Sequence, residues 1–218
     1  GDFVGGAGAV EDVVDIGLRI EVVLEGVKWE GCGLGHRSGN WYDGRMTRGE
    51  TLAEGVMLSQ TLLARYLVGF SDANHTAQAP NLPNHVAWSL GHLAITMHRI
   101  AEKIDGRPLP ASDFVEGSKA GDGKRFGTEA VSFGSTPVAD LGCYPGFARC
   151  VEVFGAACAR VAAAARGCED GRLDTMSPWG GGQASLYALA QRMVFHNGVH
   201  CGQIADLRRA LGMGSIFG

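Results

Sequence analysis

Apolar positions recur along this chain mostly at the spacing of helices. Over residues 51 to about 70, Leu52, Val56, Leu63, Leu67 and Phe70 fall on one helical face, which predicts an amphipathic helix of about five turns. Two overlapping start signals lie at its head, Thr47 with Glu50 and Thr51 with Glu54, each with the spacing of a capping box. Pro83 and Asn84 open a second helix, in which Val86, Leu90, Leu93 and Met97 carry the pattern to about residue 104. Tyr144, Pro145 and Gly146 open a third, an alanine-rich run with Phe147, Val151, Phe154, Cys158 and Val161 on one face and Gly167 at its close. A fourth spans about 183 to 211, with Val194, Val199, Ile204, Leu207 and Leu211 as much of its apolar stripe and Gly212 as its stop. The intervals at 107–144 and 168–182 are rich in Gly, Ser, Asp and Pro and read as connections. Four long helices with two extended connections predict an all-α fold, a four-helix bundle.

Residues 1–45 depart from this pattern. They are Gly-rich, and the alternating stretch at 15–22 suits a short strand better than a helix. The expected organisation is therefore an N-terminal extension over 1–45 and a bundle over 46–218. The aromatic stretch at 40–43 shows no partner pattern and carries no assignment.

Composition narrows the function. Hydrophobic residues make up 45% of the 218 positions, enough for one main core, and 19% are charged, as in an ordinary globular chain. A net charge of -4 with scattered basic residues offers no surface for neutralising phosphates, so nucleic acid is not an expected partner. No run approaches the roughly 20 apolar residues of a membrane span, and the start lacks a basic segment followed by an apolar one. No membrane partner and a cytoplasmic location are the resulting expectations. The six cysteines, at 32, 143, 150, 158, 168 and 201, show no Cys-x-x-Cys spacing and read as free thiols. Cys150 and Cys158, in the third helix, read as packing residues.

The chemistry concentrates in His196 and His200. Four residues is just over one helical turn, so the two imidazoles project from one face and can close on one metal ion. A third ligand must stand at the same height on a neighbouring helix. Of the second helix's histidines, His92 lies near its midpoint, matching the midpoint of the last helix, whereas His85 sits about 10 Å away along the axis. His98 follows His92 by six residues, a rotation of about 600°, which places it on another face, beside Arg99 and toward solvent. Trp88 and Thr96 flank His92 one turn to either side and would border the same cavity with an apolar wall and a hydroxyl. Gln203 follows His200 by three residues and suits a role in orienting a ligand or binding water. Gly198 and Gly202 cost about 1 kcal/mol each against alanine, a cost that close packing or an open cavity would explain.

A His-x-x-x-His pair also arises by chance, and Asn197 stands where a zinc protease would carry its general base. A protease is thus disfavoured. Three neutral imidazoles leave coordination positions free for water or a thiol, and the donor set admits zinc, nickel or iron. Cys201 adjoins His200 but points about 100° away, so it is a weak alternative ligand. Trp179 and the glycines after it are read as a loop anchor on the bundle in preference to a flexible rim over the site.

Three segments resemble a known family: PNHVAWSLGHL at 83–93, YP at 144–145, and FHNGVHCGQIADLRRALG at 195–212. Together they resemble the DinB-like superfamily over about residues 46 to 213, and nothing in the likeness covers residues 1–45. The resemblance implies a four-helix bundle with an unusual crossover order and a divalent metal held by three histidines, here His92, His196 and His200. It also implies homodimers and, among characterised relatives, transferases and isomerases that use bacillithiol, mycothiol or glutathione. The iron-dependent sulfoxide synthases of this fold carry a carboxylate two residues after the second histidine of the pair, where this chain has Gly202, so that branch is disfavoured.

The leading expectation is a metal-dependent thiol transferase acting on a small electrophilic substrate, with His92, His196 and His200 as ligands and Gln203 as an orienting group. The alternatives are a hydrolase using metal-bound hydroxide and a non-catalytic metal-binding module.

Overall fold

The computed structural model turns the four stripes into four long helices. It describes residues 46–216 together with two short strands, β1 (Val23–Leu24) and β2 (Val27–Lys28), which pair antiparallel. Backbone contacts divide the chain into Gly1–Ser38, which holds this strand pair, and Gly39–Gly218. The alternating stretch at 15–22 and the aromatic stretch at 40–43 lie outside the described residues.

The second unit begins with α1 (Arg48–Arg65). Thr47 takes the N-cap, accepting from the Glu50 amide while the Glu50 carboxylate accepts from the Thr47 amide, so the first of the two capping patterns sets the start. The helix ends earlier than its apolar pattern, and Leu67 and Phe70 fill the core from the turns beyond it. After α2 (Val86–Asp105), which closes at a left-handed Gly106, the connection contains β3 (Phe114–Val115) parallel to β4 (Phe126–Gly127) and a four-residue helix α3 (Thr128–Val131). α4 (Phe147–Arg166) follows, then a hairpin of β5 (Met176–Trp179) and β6 (Gly182–Ser185), then α5 (Leu186–Ala210).

α1 and α2 each pack laterally against α4 and α5. Gly49 near the start of α1 meets Ala165 near the end of α4, so that pair is antiparallel. Ser59 meets Asn197 and Tyr66 meets Arg208, so α1 and α5 run parallel. His85 meets Tyr144 edge-on and Met97 meets Cys158, so α2 and α4 are parallel neighbours as well. Joining parallel neighbours requires a return over the full length of a 20-residue helix, about 30 Å, and that is why the connection between α2 and α4 is long.

Three expectations are corrected here. The segment at 168–182 is not structureless: Trp179 pairs with Gly182 across Gly180 and Gly181, whose φ of 58° and 83° make the two-residue turn that suits strand twist. The apolar stripe assigned to α5 holds for Ile204 and Leu207 but not for Val199, which is 39% exposed. Val194 and Val199 are five residues apart, about 140° around the helix, and cannot share a face. His98 is not in solvent but 2% exposed, because Asp113 and Phe114 of the returning connection cover its face of α2. Its ring meets Phe114 edge-on, and its Nδ1 accepts from Arg160 at 3.1 Å.

The predicted stripes of α1, α2 and α4 are buried throughout, with Cys150 and Cys158 inside the packing, and every cysteine among the described residues is a free thiol. α1 and α4 approach so closely at Gly49 that an added Cβ would overlap the Ala165 carbonyl. Helix backbones cannot yield as a side chain does. Gly49→Ala is expected to cost about 3 kcal/mol in urea denaturation, despite its better helix propensity.

Candidate metal centre

α2 and α5 run antiparallel, as the Asn84 to Gln203 hydrogen bond of 3.1 Å near the start of α2 shows, and they bring His92 level with His196 and His200. One potential ligand atom from each of the three lies within 4.8 Å of the others. Nε2 of His196 stands 3.2 Å from Nε2 of His200. Two nitrogens bound to one zinc ion at about 2.0–2.1 Å in tetrahedral geometry would stand about 3.3 Å apart, so the observed spacing fits a shared cation.

The tautomer of His92 is fixed from behind. Its Nδ1 lies 2.9 Å from the Val131 carbonyl, which can only accept, so Nδ1 carries the proton and Nε2 presents a bare lone pair. The Nδ1 atoms of His196 and His200 are buried without a hydrogen-bond partner among the described residues. Burial is the main cause that lowers the pKa of all three, His196 to about 4 and His200 to about 3, and for these two the neighbouring imidazoles add to it. All three rings are therefore neutral near pH 7, the state in which imidazole binds metal.

Trp88 forms one wall. Its ring stacks on His92 with centroids 4.8 Å apart and planes 5° from parallel, lies 6.0 Å from His200, and is held by a hydrogen bond from Nε1 to Ser135. Thr96 differs from expectation in that its hydroxyl donates to the His92 carbonyl at 2.7 Å, which satisfies it within the helix. Gln203 stands beside His200, where it partly offsets the fall in that ring's pKa, and accepts from Asn84. Among the described residues no cysteine or carboxylate joins the cluster, and Cys201 stays outside it. Sequence reasoning missed Val131, Ser135 and Asn84. Two of these lie in a connection without periodicity, and Val131 acts through its backbone, which leaves no side-chain signature.

The remaining histidines of α2 have other work. His85 caps the helix, its Nδ1 accepting from the Trp88 amide while Nε2 donates to the Val138 carbonyl. Gly198 and Gly202 face open space, with nothing within 4 Å of an added Cβ, so close packing does not account for them. Gly198→Ala is expected to stabilise the protein by about 1 kcal/mol, a rise in melting temperature of about 2–4 °C.

A helical bundle that brings two histidines of its last helix and one of the facing helix to a common point defines a candidate metal-binding bundle. The family model for the DinB superfamily matches residues 58–204, and the chain belongs to that superfamily. A solved structure of a conserved protein from Enterococcus faecalis shares the fold with a TM-score of 0.58 at 13% identity, the match covering 77% of this chain and 99% of that one. No curated protein matches the chain.

Proposed function

We propose that His92, His196 and His200 hold a divalent metal, such as zinc, nickel or iron, and that the protein uses it to transfer a low-molecular-weight thiol to a small electrophile. The observation that supports this most directly is the convergence of three neutral imidazoles with no fourth protein donor among the described residues. A structural site would be closed by protein ligands, whereas three leave room for an exogenous one. When bound, such an ion lowers the pKa of a thiol at its open position.

The protein's own groups set the stage for that chemistry. Val131 holds His92 in one tautomer, and Trp88 excludes water from one side. Gln203, tethered by Asn84, presents an amide beside His200 that can orient an incoming polar group. In the transfer, a bond forms between sulfur and the electrophilic carbon, the thiol proton passes to solvent, and the carbon's leaving group departs with the electron pair.

The test is the visible spectrum of cobalt-substituted protein titrated with glutathione, cysteine and 2-mercaptoethanol. A thiol is expected to add a sulfur-to-cobalt charge-transfer band. Turnover of an electrophile without any thiol would instead mark a hydrolase, and an unchanged spectrum together with no turnover would mark a non-catalytic module.

A further inference from the structure

The tip of the β5–β6 hairpin and the C-terminal half of α2 flank an open groove of about 800 Å³ that the chemistry at the histidines does not use. Its size is that of a small-molecule site. Arg99, Glu102 and Lys103 line it from α2, and Pro178, Trp179 and the glycine turn line it from the hairpin. Two cations thus face one carboxylate, and neither Arg99 nor Lys103 forms an ion pair among the described residues. Lys103 Nζ lies 5.8 Å from the Trp179 ring centroid, a cation–π contact that positions the ring as a wall of the groove.

The groove is aligned with the histidines. Arg99 and Lys103 follow His92 by seven and eleven residues, rotations that return to within about 20° of its direction, so the three form one row along α2. Arg99 stands about 10 Å and Lys103 about 16 Å from His92 along the axis. Unpaired cations at this spacing favour an anion beside them.

We propose that this groove binds the carboxylate end of an elongated small molecule whose other end reaches His92, His196 and His200. Resting on the thiol reading above, that molecule is a carboxylate-bearing thiol about 10–16 Å in reach. A short uncharged thiol would lack this second anchor. Arg99 and Lys103 take its carboxylate, and Trp179, beside Lys103, walls the same end of the molecule.

The test separates the anion site from the thiol chemistry. S-methylglutathione, whose sulfur is blocked, is titrated by calorimetry into chelator-treated full-length protein, into the double variant Arg99→Gln/Lys103→Gln, and into Trp179→Phe. The wild type is expected to bind, with the double variant weaker by roughly tenfold or more, as for loss of charged hydrogen bonds. Failure of the wild type to bind, or equal binding by the double variant, overturns the proposal. In a second arm, glutathione and 2-mercaptoethanol are compared on the cobalt-substituted proteins. The double variant is expected to lose the advantage of glutathione while its response to 2-mercaptoethanol is unchanged. If the blocked probe binds and glutathione leaves the cobalt spectrum untouched, the thiol reading fails and the anion site stands.

Discussion

Replacing His200 by alanine is expected to reduce affinity for zinc or cobalt by at least about a thousandfold, beyond the 10–100-fold cost of losing a group that only supports a ligand. Competition against a chromophoric chelator measures it. The expectation follows from the geometry: His200 Nε2 is 3.2 Å from that of His196, and the donor set contains no spare residue to take its place. His92→Ala and His196→Ala should behave alike. His85→Ala is the matched control, because it removes an equally buried imidazole that caps α2 and lies outside the cluster. Its stability should fall while its metal affinity holds. Equal loss of affinity in His85→Ala and His200→Ala would mean that the histidines act through folding, and the proposed centre would have to be abandoned.

Three of the four helices were legible because their inward faces are apolar. Leu52, Val56 and Leu63 in α1, Val86, Leu90, Leu93 and Met97 in α2, and Phe147, Val151, Phe154, Cys158 and Val161 in α4 are all buried at positions the pattern picks out. α5 misled the same reasoning for a physical cause. Its core face carries Asn197, His200 and Arg208, so polar residues occupy positions that hydrophobicity would assign outward, and the apolar pattern includes the exposed Val199 instead. Asn197 is held there by donating to Ser59 of α1. A helix that builds a site breaks the binary pattern at that site.

The candidate site was legible where spacing alone decides it. One turn places His196 and His200 together, matched height selects His92, and one turn back places Trp88 on its ring. What stayed hidden depends on the connection between α2 and α4, whose path no periodicity encodes. Its Val131 carbonyl reaches His92 across 39 positions of sequence, and its Asp113 and Phe114 bury His98. The turn at Gly180 and Gly181 was visible as glycine but not as a hairpin, because the flanking four-residue strands carry little β-branched or aromatic signal.

Acid is expected to destabilise the protein steeply between about pH 6.5 and pH 4, and His85 and His98 account for a defined part of the loss. Both are buried, at 0% and 2% exposure, and both have their pKa lowered to about 4, chiefly by desolvation, with the charge of Arg160 adding to the effect on His98. Asp113 and Asp105 oppose that shift at His98 without cancelling it. In the unfolded chain each imidazole takes a proton near pH 6.5, whereas in the folded protein it does so only near pH 4. Between those values the unfolded state binds more protons, so stability falls as pH falls, and it is level again outside the window. Each histidine contributes about 3 kcal/mol over the full window, a large share of the 5–15 kcal/mol that typically holds a domain together. Urea denaturation of chelator-treated protein at pH 7, 5.5 and 4.5 measures the slope, and His98→Gln, which cannot titrate, should flatten it by the contribution of one histidine. A variant slope parallel to that of the wild type would show that His98 is already protonated in the folded state, paired with Asp113 across 3.9 Å rather than held neutral against Arg160.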